Sequence, residues 1–144
     1  MSVLVQSNLK LDYVYGISTP LDRTDFPMRI LLVEDCEDFC QLLRVRLAKR
    51  FSAHFVLARC GREASVFLGT LEFDLVVSDY HMDEGNGLWL YEFMQKKFPQ
   101  MPLIMFTSAP QEVAVNKNKM LRAIVEKPDF DSLYSRIQEV FQNP

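Results

Sequence analysis

The chain has 144 residues and a mass of 16.8 kDa, the size of one ordinary domain. Hydrophobic residues make up 49% and charged residues 24%, and 11 Phe beside only 5 Gly and 7 Pro exclude a collagen-like, low-complexity or disordered chain. A net charge of −3 and a pI near 5.4 argue against a basic nucleic-acid coat, and no apolar run nears the ~20 residues of a membrane span.

The N-terminus lacks a basic stretch followed by a short apolar core, so a cytoplasmic location is expected. Cys36, Cys40 and Cys60 form no CxxC motif, and His54 and His81 supply no zinc spacing. Reduced, structural cysteines are expected.

In chain order, residues 1–27 stand apart as a leader before a unit spanning 28–144. Leu9, Leu11, Tyr13 and Tyr15 alternate as an extended, half-buried segment would, and Pro20 and Pro27 bracket a linker-like stretch. A lightly docked leader and an extra strand latched onto the domain both remain open. Met28, directly before the first strand, also admits a later start.

From Arg29 the apolar pattern changes period repeatedly. Arg29-Ile30-Leu31-Leu32-Val33 reads as a buried strand, and Phe39, Leu42, Leu43 and Leu47 as one helix face. His54–Ala58 is a second strand, followed by a helical stripe of Ala64, Phe67, Leu68 and Leu71. Residues 74–78 form a third strand, and a turn-rich 83–87 leads into a helix over 88–98, stopped by Pro99. Residues 103–106 and 123–125 are the fourth and fifth strands, with a short, poorly patterned helix expected over 111–119. Phe130, Leu133, Tyr134, Ile137, Val140 and Phe141 mark the last helix, which Asp129 or Asp131 can cap. Five strands alternating with five helices predict right-handed βαβ units, a parallel sheet and helices on both faces. Arg44, Arg46, Lys49 and Arg50 at the end of the first helix read as a solvated face suited to the helix dipole, or else as a surface for an acidic partner.

Ligands of open α/β sheets sit beyond the carboxyl ends of the strands. There the sequence places Glu34 and Asp35, then Asp79, then Thr107 and Ser108, then Lys127 and Pro128. Each alone reads as a turn, cap or surface residue, as Glu37 and Asp38 do. Together they are a reactive set. Three ionised carboxylates repel one another unless a cation intervenes. Mg2+ suits them, because it takes oxygen ligands and usually retains waters. Asp35 and Asp79 would bind directly, Glu34 through water, and the His81 backbone carbonyl would add an oxygen. Asp79 is then a carboxylate nucleophile able to form an aspartyl-phosphate, with Lys127 and Thr107 placed for phosphoryl oxygens.

These motifs resemble the receiver domain of response regulators from two-component and phosphorelay signalling. The resemblance rests on Ile30-Leu31-Leu32-Val33-Glu34-Asp35, on Asp74-Leu75-Val76-Val77-Ser78-Asp79-Tyr80-His81-Met82, on Gly87 eight residues past Asp79, on Leu103 through Ala109, and on Glu126-Lys127-Pro128. It implies a three-layer, flavodoxin-like (βα)5 fold with strand order 2-1-3-4-5. It further implies that Asp79 is the phospho-acceptor for a histidine kinase or histidine phosphotransfer protein. Glu34, Asp35, Asp79 and the His81 carbonyl would hold Mg2+, with Mn2+ as a substitute. Thr107, Ser108 and Lys127 would contact the phosphoryl group. His81 and Ala109 are candidates for tuning dephosphorylation, with a backbone-only role for His81 equally open.

Three positions depart from the family pattern. Asp83 stands where a proline is usual. Ile124, three before Lys127, stands where an aromatic switch residue is common. Asn116-Lys117-Asn118-Lys119-Met120-Leu121 replaces the usual glycine-bearing approach to the fifth strand, reshaping the fourth helix. The expectation is a stand-alone signalling switch rather than an enzyme, monomeric or weakly dimeric, whose output is an unidentified protein contact and not nucleic acid or membrane. The alternative is a receiver-like binding module that works without phosphate. An aspartyl-phosphate hydrolase is disfavoured, because the general acid expected two residues past the nucleophile is His81.

Overall fold

Arg29–Val33 (β3) is apolar after its first residue and buried at every position, as a strand covered on both faces must be. The computed structural model describes residues 2–7, 10–15 and 28–143. Within them β3 is joined by β4 (His54–Ala58), β5 (Leu75–Ser78), β6 (Leu103–Thr107) and β7 (Leu121–Glu126). All pair in parallel, in the order β4-β3-β5-β6-β7, which is the expected 2-1-3-4-5. Two strands precede them. Ser2–Ser7 (β1) and Lys10–Tyr15 (β2) form an antiparallel hairpin through six residue pairs. β1 then joins the outer edge of β4 at Val5↔Val56 and Gln6↔Phe55, completing a seven-stranded sheet. The alternating Leu11, Tyr13 and Tyr15 thus lie on a strand, whereas Leu9 and the Pro20–Pro27 stretch fall outside the described residues.

Successive strand residues point to opposite faces, so one strand feeds two cores. Leu31 and Val33 pack with α2 (Gly61–Thr70) and α3 (Gly87–Lys97), whereas Ile30 and Leu32 pack with α1 (Glu37–Arg50) and α4 (Phe130–Gln142). Helix starts follow local chemistry. Asn86 Oδ1 accepts from Trp89 N at 2.9 Å, and Asp129, rather than Asp131, caps α4 by accepting from Ser132 N at 3.0 Å. Among the described residues, no helix is long and apolar enough to cross a membrane.

The helix expected over 111–119 does not form. Pro110–Glu112 makes a single 3-10 turn, and the described chain then runs irregularly to β7. Two forces explain this. The segment offers only Val113 and Val115 as partly buried apolar residues, too little for a helical stripe. Asn118 also captures the backbone: its Oδ1 accepts from Met120 N and Leu121 N, and its Nδ2 donates to Tyr91 Oη at 2.7 Å. Among the described residues the sheet therefore carries four α-helices rather than five.

The basic end of α1 is largely the solvated face expected, with Arg46, Lys49 and Arg50 exposed and Arg44 the exception. Arg46 lies 4.9 Å from the Phe130 ring centroid and Arg50 4.7 Å from that of Tyr134. Arg44 is buried, with Nε donating to Gln41. Arg46 and Arg50 thus lie over the aromatic side of α4.

Candidate functional site

Three backbone hydrogen bonds extend the sheet one residue beyond its strands. Glu34 N donates to Ala58 O, Asp79 N to Val33 O, and Lys127 N to Thr107 O, each at 2.9 Å. This register brings side chains separated by up to 93 positions to one edge. Carboxylate oxygens of Glu34, Asp35 and Asp79 lie within 4.8 Å of one another. Lys127 Nζ sits among them, 2.5 Å from Glu34 Oε2 and 3.2 Å from Asp79 Oδ2.

Burial grades the cluster. Glu34 is 3% exposed, Asp79 partly buried and Asp35 exposed. Burial pushes the Glu34 carboxyl above its ordinary value, opposed by the Lys127 hydrogen bond and charge and reinforced by the charge of Asp79. Glu34 Oε1 accepts from Cys36 N at 3.1 Å, and Asp79 Oδ1 from Tyr80 N at 2.7 Å. Three carboxylates against one ammonium leave an excess of negative charge on hard oxygen donors, a set that fits a small divalent cation such as Mg2+.

The remaining expected residues lie on or just after the same strands. Thr107 ends β6 fully buried, and its Oγ1 accepts from Ala109 N at 3.3 Å. Ser108 is exposed just beyond it. His81 is exposed, and its imidazole is paired with the Glu112 carboxylate. Ala114 N donates to Tyr80 Oη at 3.3 Å. The chain after β6 is therefore tied over the chain after β5. Asp83 is exposed, and Ile124 packs partly buried against the α2–α3 core.

The loop between β5 and α3 is shaped by close approaches. Glu84 and Gly85 take positive φ of 55° and 100°. Gly61 N donates to Gly85 O at 2.7 Å, and Gly87 N to Tyr80 O at 2.7 Å. A Cβ on Gly87 would lie 2.7 Å from Tyr80 Cα and 2.8 Å from Asp79 O.

Two neighbours escape sequence reasoning. Phe39 reads only as part of a helical stripe, yet its ring lies under Lys127 Nζ at 4.3 Å. Glu112 pairs with His81 across 31 positions, which no local spacing signals.

A profile of the response regulator receiver domain matches residues 30–138. The chain is 34% identical over 119 residues to the transcriptional regulatory protein GlrR of Escherichia coli strain K12, covering 81% of this chain and 27% of that protein. It is 34% identical over 80 residues to the response regulator protein PilR of Pseudomonas aeruginosa, covering 56% of this chain and 18% of that protein. Its fold resembles the non-phosphorylated HemR receiver domain of Leptospira biflexa with a TM-score of 0.71, at 29% identity over 81% of this chain and 96% of that one. It also resembles the response regulator TrrA of Thermotoga maritima, solved in complex with Mg(2+)-BeF, with a TM-score of 0.72 at 24% identity over 78% and 98% of the two chains. The chain belongs to the response-regulator receiver family. It spans about a quarter of the length of GlrR.

Proposed function

We propose that Asp79 accepts a phosphoryl group from a histidine kinase or histidine phosphotransfer protein and thereby switches a protein contact. The supporting observation is the convergence of Glu34, Asp35 and Asp79 within 4.8 Å, with Lys127 Nζ 3.2 Å from Asp79. Asp79 Oδ2 faces Lys127 while Oδ1 is occupied by Tyr80 N, so we assign Oδ2 to the attack on phosphorus. The bond from phosphorus to the donor imidazole nitrogen breaks, and the nitrogen keeps the electron pair. Lys127 neutralises charge on the transferring group. Thr107 Oγ1 accepts from Ala109 N, which leaves its own O–H to donate to a phosphoryl oxygen. Asp35 and Asp79 directly, Glu34 through water and the His81 carbonyl would hold Mg2+, which when bound supplies further neutralisation of the phosphoryl oxygens. Ser108 follows Thr107 directly and is assigned with it to the phosphoryl oxygens, and His81 and Ala109, two residues past Asp79 and Thr107 respectively, are assigned to tuning dephosphorylation.

Phosphorylation on this reading biases a two-state equilibrium of the segment after β6. The unit is a cytoplasmic switch rather than a turnover enzyme, monomeric or weakly dimeric. Its receiver unit spans 28–144, with the β1–β2 hairpin of the 1–27 extension docked through β1 on the outer edge of β4, and it hands its signal to a protein, not to nucleic acid or membrane. Intact-protein mass after incubation with acetyl phosphate and Mg2+ tests it. A gain of one phosphoryl group (about 80 Da), absent without metal and absent in Asp79→Asn, is the expected result. No gain in folded, Mg2+-binding protein overturns it.

One observation favours a second reading, a binding module that needs no phosphate. The segment after β6 lacks its helix and is pinned by Asn118–Tyr91 and Ala114–Tyr80 hydrogen bonds, which restrain a switch. The same mass experiment separates the two.

A further inference from the structure

Lys127 has a third partner that the acid cluster does not explain. Its Nζ lies 4.3 Å from the Phe39 ring centroid, and its side chain is only 14% exposed. Lysine carries its ammonium on a flexible four-carbon stem, so the backbone alone does not aim it. The ring, by contrast, is held by three elements. Phe39 on α1 sits 5.9 Å from Phe106 on β6 and 6.2 Å from Phe130 on α4, and those two rings lie 5.5 Å apart. Glu34 and Asp79 also hold the ammonium, but both belong to the carboxylate set that a divalent cation would engage. The ring face is a contact that cation binding leaves untouched.

We infer that Phe39 is a positioning residue, whose ring face keeps the Lys127 ammonium aimed at Asp79 through a cation–π contact while the carboxylates exchange partners. The inference rests on Asp79 being the phosphoryl acceptor. Partly desolvated contacts of this type carry enough energy for about a five- to tenfold change in rate.

The test compares Phe39→Leu, which keeps apolar bulk and removes the ring, with Phe39→Tyr, which keeps the ring. The phosphorylation rate with acetyl phosphate at saturating Mg2+ is expected to fall about five- to tenfold in Phe39→Leu and to recover in Phe39→Tyr. Mg2+ affinity is expected to stay within about twofold in both, since the cation–π contact is to Lys127 and not to a carboxylate ligand. A wild-type rate in Phe39→Leu, or equal slowing in both variants, overturns the inference, because packing alone then accounts for the ring. A second readout does not need phosphorylation. The Lys127 Hε protons are expected to show an upfield ring-current shift in the wild type, lost in Phe39→Leu and kept in Phe39→Tyr. If the wild type takes no phosphate, the acceptor reading fails while a preserved Hε shift still supports the placement of Lys127 by Phe39. An Hε resonance at its ordinary position overturns that placement.

Discussion

Replacing glycine by alanine near a helix start ordinarily stabilises a protein by ~0.4–1 kcal/mol, because alanine has fewer unfolded conformations to lose. Gly87, the first residue of α3, should do the opposite. Its φ is not in the left-handed region, so backbone strain is not the cause. The cause is space. A Cβ there would stand 2.7 Å from Tyr80 Cα and 2.8 Å from Asp79 O, and ordinary contact begins at 3.4 Å. About 0.7 Å must open between the end of β5 and the start of α3. Both obstacles are backbone, so no side-chain rotation relieves them. Overpacking of this kind costs ~1–3 kcal/mol, which exceeds the entropic gain and leaves a net loss of up to ~2.5 kcal/mol. For a domain of this size that lowers Tm by several degrees, ~2–8 °C per kcal/mol. The shift falls on the peptide of Asp79 itself, so Mg2+ affinity and phosphorylation rate should fall too. Gly69→Ala is the internal control. That glycine lies in α2, and a Cβ added to it would meet nothing within 4 Å, so the same substitution should gain ~0.5–1 kcal/mol. Paired thermal melts read both. Equal or raised Tm in Gly87→Ala would refute the steric reasoning.

Thiol titration of the native protein should show Cys36, which is exposed, reacting first and Cys60 more slowly. Cys40, whose thiol burial pushes up to about 12 with help from the Glu34 charge, should stay silent until unfolding. Asp129→Ala should lower Tm at neutral pH by removing the α4 cap. The Ser132 hydroxyl and backbone N–H hold the Asp129 carboxyl below its ordinary 3.8, so its stabilisation is full above that value and fades as pH falls beneath it. The Tm difference from wild type should therefore close in acid, and a gap that persists unchanged at the lowest pH would count against the cap. Lys127→Met should lower Tm in metal-free buffer and regain most of the loss with Mg2+. The loss should stay below the ~3–5 kcal/mol of a stranded buried charge, because Glu34 can take up a proton.

The strands were legible because they are short, continuous apolar runs, and α4 because its apolar residues recur at helical spacing over 13 residues. The 111–119 segment misled because alternation of strand and helix implied a helix there, while the deciding contacts are made by Asn118 to Tyr91 and to the backbone ahead of β7. The basic face of α1 was legible in part, since Arg46, Lys49 and Arg50 are exposed as expected. Their spacing shows a polar face, but not that Phe130 and Tyr134, far along the chain on α4, lie beneath it.

The acid cluster was legible for a different reason. Its members follow strands directly, and parallel pairing sets neighbouring strand ends at one height. Val33↔Ser78 in register places Glu34 beside Asp79, and Thr107↔Glu126 places Lys127 next to the end of β6. Residues delivered by a strand end can be read from order alone. Phe39 and Glu112 arrive instead from a helix and from an irregular turn, whose orientation depends on packing that no local pattern encodes. The two groups also differ in what they touch. The strand-end residues meet one another, and their three carboxylates outnumber the one ammonium among them, leaving negative charge for a cation to balance. Phe39 touches the cluster from outside, at Lys127, whereas Glu112 pairs with His81 on the chain after β5. The charge on this edge is thus set by the sheet, and the elements laid against it add contacts from a helix and a turn.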